Sequence, residues 1–192
     1  MTTPKSKKTG ADPKSLGPLD PEHHPHATYA LDQAMVRGLT ARLAASSGTT
    51  TTLYSPATGQ PLGVIPISTP EDVEAAFTTA RLVAARWAQS SYKERSAALL
   101  RLHDLILQRR DEIMDLICWE SGKARIHAFD EPLHVALTAR YYARTLKRHL
   151  EPKKRAGVVP ILTQIEEHRM PKGVVAIISP WNYPFTMALV DG

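Results

Sequence analysis

The stretch Pro171-Lys172-Gly173-Val174-Val175-Ala176-Ile177-Ile178-Ser179-Pro180-Trp181-Asn182-Tyr183-Pro184 decides how the rest of the chain is read. Val174–Ile178 is apolar throughout and β-branched except at Ala176, which predicts a strand buried on both faces of an α/β sheet. Ser179-Pro180 ends it, because proline cannot donate to a central ladder. Pro184 then suits the opening of a helix. In open α/β sheets, ligands gather where strands end and helices begin. A proline-flanked turn carrying Trp181 and Asn182 at that place is suited to holding a polar side chain still. The same residues also satisfy a plainer reading: a strand followed by an Asx-type turn, with Trp181 in the core.

Outward from this stretch, composition bounds the answer. The 192 residues suit one ordinary domain, and 43% of them are hydrophobic, enough for a sizeable core. The net charge of +5 is mild. A single cysteine, Cys118, excludes an internal disulfide and fits a reducing, cytoplasmic setting. No apolar run has the length of a membrane helix. The lysines near Met1 are not followed by the apolar run of a secretory signal. Residues 1–27 read as a flexible, basic, proline-rich tail without aromatics. Its His23, His24 and His26 have neither cysteines nor a second ligand group beside them, so they read as solvated and no metal site is expected. Arg144, Lys147, Arg148, Lys153, Lys154 and Arg155 form a basic cluster that suits a helix C-terminus. No aromatic residues interleave after Tyr142, so no nucleic-acid surface is expected.

Residues 28–152 read as a hairpin plus helices. Leu31, Met35, Leu39 and Leu43 recur at helical spacing over residues 28–45. Thr49–Tyr54 and Leu62–Ile67 are β-prone and flank the turn Ser55-Pro56-Ala57-Thr58-Gly59-Gln60. Thr69-Pro70-Glu71-Asp72 starts a helix with an N-cap threonine and proline behind it. Val73, Ala76, Phe77, Ala80, Ala84 and Trp87 would be its buried face. Ser91-Tyr92-Lys93-Glu94 is a capping box opening the next helix, lined by Leu99, Leu102 and Ile106. Arg109–Glu112 marks a break before a third helix. Gly122 closes that helix at a C-cap position, leaving Lys123 as a surface lysine. A long helix is expected over about Ile126–Leu150, lined by Leu133, Leu137, Tyr141 and Leu146. Pro132 should kink it or shift its start towards Glu131. Val158–Met170 reads as an edge strand interrupted by Pro160.

The Pro-Trp-Asn segment resembles that of the NAD(P)-dependent aldehyde dehydrogenase superfamily, and within it the actinobacterial-type NADP-dependent succinate-semialdehyde enzymes. Ser55–Gln60, Glu120-Ser121-Gly122-Lys123 and the tyrosine pair Tyr141-Tyr142 resemble further family features in the same order. The resemblance covers roughly residues 50–192. It implies the amino-terminal part of the cofactor domain: a β-hairpin, helices, an oligomerisation strand over residues 153–171, and the first Rossmann-like strand with its helix over residues 172–192. The chain is then expected to be a fragment of a longer enzyme.

The resemblance also implies a chemistry. In the family a cysteine thiolate attacks the aldehyde, hydride passes to the nicotinamide of NADP or NAD, and a glutamate activates water against the thioester. Asn182 matches the asparagine whose amide holds the oxyanion. Ser179, Trp181 and Asn182 match the nicotinamide-side wall, and Tyr183 and Met187 the aldehyde tunnel. The expected partners are a small-molecule aldehyde and further copies of the chain in a homo-oligomer, with no membrane. Cys118 lies on an apolar helix face without an adjacent base and is not expected to be the nucleophile. One departure concerns substrate: familiar succinate-semialdehyde enzymes carry an arginine eight residues past the asparagine, where this chain has Val190. The actinobacterial-type enzymes also lack it. The competing expectation is a non-catalytic interaction module that keeps the helices and edge strand for subunit pairing.

Overall fold

A computed structural model describes residues 33–159 and 162–191. The expected tail, its three histidines, Leu31 and Pro160 lie outside the described residues. The first helix, α1 (Gln33–Thr40), ends at Thr40 and not near residue 45 as the sequence pattern suggested, and residues 28–32 lie outside the described residues. Its buried residue is Val36, whereas Leu39 and Leu43 are exposed. Val36 packs against Leu62 and the half-buried Leu53, Ile65, Leu116 and Trp119, so the position of the hairpin selected the buried face.

The hairpin forms as expected. β1 (Thr50–Tyr54) pairs antiparallel with β2 (Pro61–Pro66), with an irregularity between Leu53 and Tyr54. Ser55 closes the intervening turn: its Oγ accepts from Ala57 and Thr58 N–H, and its N–H donates to the Gln60 carbonyl. The predicted N-cap Thr69 and the predicted capping box at Ser91 are both present, and Asp72 completes a second, unpredicted box at Thr69. Thr69 and Asp72 open α2 (Pro70–Ala88), and Ser91 and Glu94 open α3 (Tyr92–Gln108). Each satisfies two N–H groups that the helix cannot pair itself. The face expected to bury α2 is only half covered. Phe77, Ala80 and Ala84 are half-buried, but Val73, Ala76 and Trp87 stay exposed.

Arg109 separates α3 from α4 (Arg110–Ser121), and Gly122 caps α4 in the left-handed conformation with φ 70°. A short helix, α5 (Arg125–Ala128), precedes α6 (Asp130–Leu150). Pro132 therefore sits in the first turn of α6, where its missing N–H costs nothing; it shifts the helix start instead of kinking its middle. The buried face of α6 differs from expectation. Val135, Ala136, Ala139 and Ala143 are buried, while Leu133, Leu137 and Tyr141 are exposed. Alanines let α3 approach closely, and Ser96 Oγ donates to the Ala143 carbonyl at 2.6 Å. Ile106, Val135 and Ala136 form one part of the core, and Met114, Ile117, Cys118 and Ala128 another.

Of the expected strand Val158–Met170, only Ile165–Glu167 is strand among the described residues, and it belongs to a small hairpin with an earlier segment. β3 (Lys153–Arg155) pairs antiparallel with β4 (Ile165–Glu167), and Arg155 bonds Glu167 across it at 2.9 Å. Part of the basic cluster is thus neutralised by a neighbouring strand. The expected central strand is also absent. Val174–Ile178 is in no sheet among the described residues, and Val175, Ile177 and Ile178 are exposed. A central strand is defined by ladders on both sides, and none is formed here among the described residues. The last helix, α7 (Pro184–Val190), begins at proline as expected. No helix among the described residues is long and apolar enough to cross a membrane.

Candidate active site

Asn182 lies between the extended segment and α7, and the turn around it is held from a distance. Lys123 follows the glycine cap of α4. Its Nζ donates to Glu131 Oε1 at 2.6 Å and to the Asn182 main-chain carbonyl at 2.7 Å. The same ammonium lies 4.2 Å from the Tyr183 ring centroid, a cation–π distance. Glu131, at the start of α6, is fully buried. Its Oε2 accepts from the N–H groups of Phe185 and Thr186, each at 3.0 Å. These are first-turn N–H groups of α7, which has no side-chain cap of its own. Glu131 supplies that cap from 54 residues away. The expectation of a surface lysine is therefore overturned: Lys123 keeps only 16% of its side chain exposed and bridges two elements. No local pattern could reveal this, because both partners arrive through the fold.

The expected site residues are brought to one short segment. Asn182 is exposed, and its side chain makes no hydrogen bond among the described residues. The capping reading of Asn182 finds no bond to support it. Trp181 is 80% exposed, so the plainer reading that put it in the core is corrected. It borders a hollow of about 360 Å³ with Leu53, Tyr54, Leu62, Ser121 and Pro184. Ser179 is half-buried. The Met187 N–H donates to the Tyr183 carbonyl at 3.2 Å, which stacks both residues on one side of α7. Phe185 packs into the core between α3, α4 and α6 and anchors the helix.

A larger hollow of about 470 Å³ lies among Leu102, Ile106, Ile113, Leu116, Phe185 and Leu189. Its lining is mainly apolar, with Arg109, Glu112 and Glu120 beside the aliphatic residues, and it contains none of the expected site residues, so chemistry and not size selects the Asn182 turn. Cys118 is buried with Met114, Ile117 and Ala128, as expected for an inert thiol. Asp115 is buried against Arg125, which also reaches Asp111 at 3.4 Å. That pair ties α4 to α5, away from the turn. No group of histidine, cysteine, aspartate and glutamate suited to a metal occurs among the described residues.

Comparison with known proteins matches these features. The aldehyde dehydrogenase family profile covers residues 43–191. A Mycolicibacterium smegmatis protein named "Putative succinate-semialdehyde dehydrogenase", of the NADP(+) type, is 43% identical over 134 residues, which is 70% of this chain and 26% of that protein. The crystal structure of succinate-semialdehyde dehydrogenase from Burkholderia pseudomallei aligns with a TM-score of 0.68 at 30% identity, over 76% of this chain and 30% of that one. NADP-dependent glyceraldehyde-3-phosphate dehydrogenase from Bacillus halodurans, solved with NADP, aligns with a TM-score of 0.69 at 30% identity, over 76% of this chain and 31% of that one. The chain thus spans less than a third of the length of these relatives and matches the amino-terminal α/β part of their fold. With the profile spanning the hairpin, the glycine-capped helix and the Pro-Trp-Asn turn together, the chain belongs to the aldehyde dehydrogenase family.

Proposed function

We propose that this chain forms the amino-terminal part of an NADP-linked enzyme that oxidises succinate semialdehyde to the acid, with Asn182 as its oxyanion donor. The observation that carries the reading is the state of the Asn182 amide. It is exposed and makes no hydrogen bond among the described residues, while the Asn182 carbonyl accepts from Lys123, which is paired with the buried Glu131. A donor that waits unpaired on a held backbone needs little rearrangement when negative charge develops on the aldehyde oxygen. A turn-capping asparagine would have its side chain occupied.

The openness of the adjoining wall supports a cofactor site there. Backbone groups from Val174 to Trp181 are engaged by no ladder among the described residues, and the Trp181 ring is open to solvent. NADP bound there would accept the hydride. Ser179, Trp181 and Asn182 would hold its nicotinamide side through the main chain, and Tyr183 and Met187 would border the aldehyde. The names of the relatives support succinate semialdehyde and NADP. Val190 leaves the substrate carboxylate without the helix arginine, so its recognition falls to other residues. Cys118 is buried in the core and is not the nucleophile, and by the family resemblance the nucleophile and the hydrolytic base come from other parts of the full-length enzyme. The full-length enzyme that carries this segment works as a homo-oligomer in the cytoplasm.

The test is Asn182→Ala in the full-length enzyme that carries this segment. The expected result is a fall in kcat of about 10²–10³-fold, with NADP affinity and melting temperature nearly unchanged. An unchanged kcat would refute the assignment. The 192-residue chain assayed by itself is expected to give no turnover of succinate semialdehyde with NADP. Turnover lost in Cys118→Ser would show that the nucleophile had been misplaced.

A further inference from the structure

We infer that Lys123, gripped by Glu131, is the positioning residue of the Asn182 turn. The inference rests on the reading of Asn182 given above. Its basis is the way one buried carboxylate reaches both ends of residues 182–186. Glu131 Oε2 takes the Phe185 and Thr186 N–H groups directly. Glu131 Oε1 holds Lys123, and Lys123 holds the Asn182 carbonyl. An ammonium has three donor directions: two are used in these bonds, and the cation rests near the Tyr183 ring.

That grip matters because little else fixes Asn182. The bond from Lys123 is the one hydrogen bond to Asn182 among the described residues. The segment before it is in no sheet there, and the N-cap position of α7 offers no side-chain bond. An oxyanion donor must stand in place before charge develops. Removing the ammonium would let the turn sample other backbone angles while α7 stays seated through Phe185 and Glu131. A guanidinium cannot substitute, since its planar fork does not match one carboxylate oxygen and one carbonyl meeting beside a ring face.

Lys123→Met alone would strand a buried carboxylate, so the decisive variant is Lys123→Met with Glu131→Gln. The glutamine carbonyl can still accept from Phe185 and Thr186, and replacing a buried ion pair by neutral groups of similar volume is often tolerated. Both this double variant and Lys123→Arg are made in the full-length enzyme. Amide hydrogen exchange, melting temperature, NADP affinity and kcat are measured on each. The expected result is faster exchange confined to Trp181–Tyr183, with kcat lower by about 10–10²-fold, and NADP affinity and the KM for aldehyde little changed. Exchange and kcat equal to the parent's in either folded variant would overturn the inference. So would exchange raised throughout α6 and α7, with melting temperature falling in step, because that describes a general structural pair. Asn182→Ala separates the two claims. If it leaves kcat intact, the oxyanion reading fails, while the exchange arm still decides whether Lys123 holds the turn.

Discussion

A carboxylate that receives backbone N–H donors resists protonation, and Asp72 is placed in that way. Thr69 N–H donates to it at 2.8 Å, and Ser46 N–H donates at 3.0 and 3.2 Å to its two oxygens. These bonds, Thr69 first, lower its pKa from 3.8 to about 2. Between those two values the unfolded chain binds the proton more readily than the folded one. The stabilisation is therefore complete above pH 3.8 and is lost as pH falls towards 2. NMR titration of the Ser46 and Thr69 amides should report this transition, and Asp72→Ala should abolish it; a midpoint near 3.8 in the parent protein would contradict the bonding described. Asp72 also shows what sequence can and cannot disclose at this scale. Thr69 was legible as the N-cap and Asp72 as a first-turn acid three residues on, whereas the bond to Ser46 depends on how the chain returns from the hairpin. Lys123 is the stronger case, since neither Glu131 nor Asn182 is a neighbour in sequence.

At the scale of elements, starts and stops were legible because they are written locally. Thr69, Ser91, Gly122 and Pro184 each act within a few residues of their own position. Buried faces were not, because a helix buries whatever side its neighbours cover. α6 turns its alanines inward against α3 and leaves Leu137 and Tyr141 outside. Gly122 joins the two kinds of information. A left-handed φ of 70° already disfavours any side chain there, by about 1–2 kcal/mol. An added Cβ would also meet Pro56 Cγ, in the hairpin turn, at 3.2 Å. Gly48 has the same φ sign, 71°, with nothing within 4 Å. Gly122→Ala should therefore lower the urea midpoint more than Gly48→Ala, and the difference measures the contact between the cap of α4 and the turn of the hairpin. Equal losses would mean that Pro56 yields freely and the contact carries no weight.

For the whole molecule, the Pro-Trp-Asn motif disclosed the family, yet the strand leading to it did not form as its composition implied. An apolar run specifies burial but not the partner that provides it. Val175, Ile178 and Trp181 are exposed along one short segment, Ile178 at 96%, and Val158, Leu162 and Met170 are exposed in the preceding residues. A surface of this kind, beside backbone groups in no ladder among the described residues, invites association by edge pairing and apolar contact. The 192-residue chain is therefore expected to self-associate in proportion to its concentration. Size-exclusion chromatography with light scattering should give a mass above the 21.2 kDa of the monomer, rising as the chain is concentrated. Val175→Lys with Ile178→Asp should restore the monomer mass, since both side chains are exposed and charge there opposes pairing without disturbing the core of α3, α4 and α6. Paired changes on another apolar surface, Leu82→Lys with Val83→Asp on α2, serve as the control, as those positions are exposed too. If the α2 changes restore the monomer and the Val175 and Ile178 changes do not, the associating surface lies on α2, and the extended segment before Asn182 is not the adhesive element argued for here.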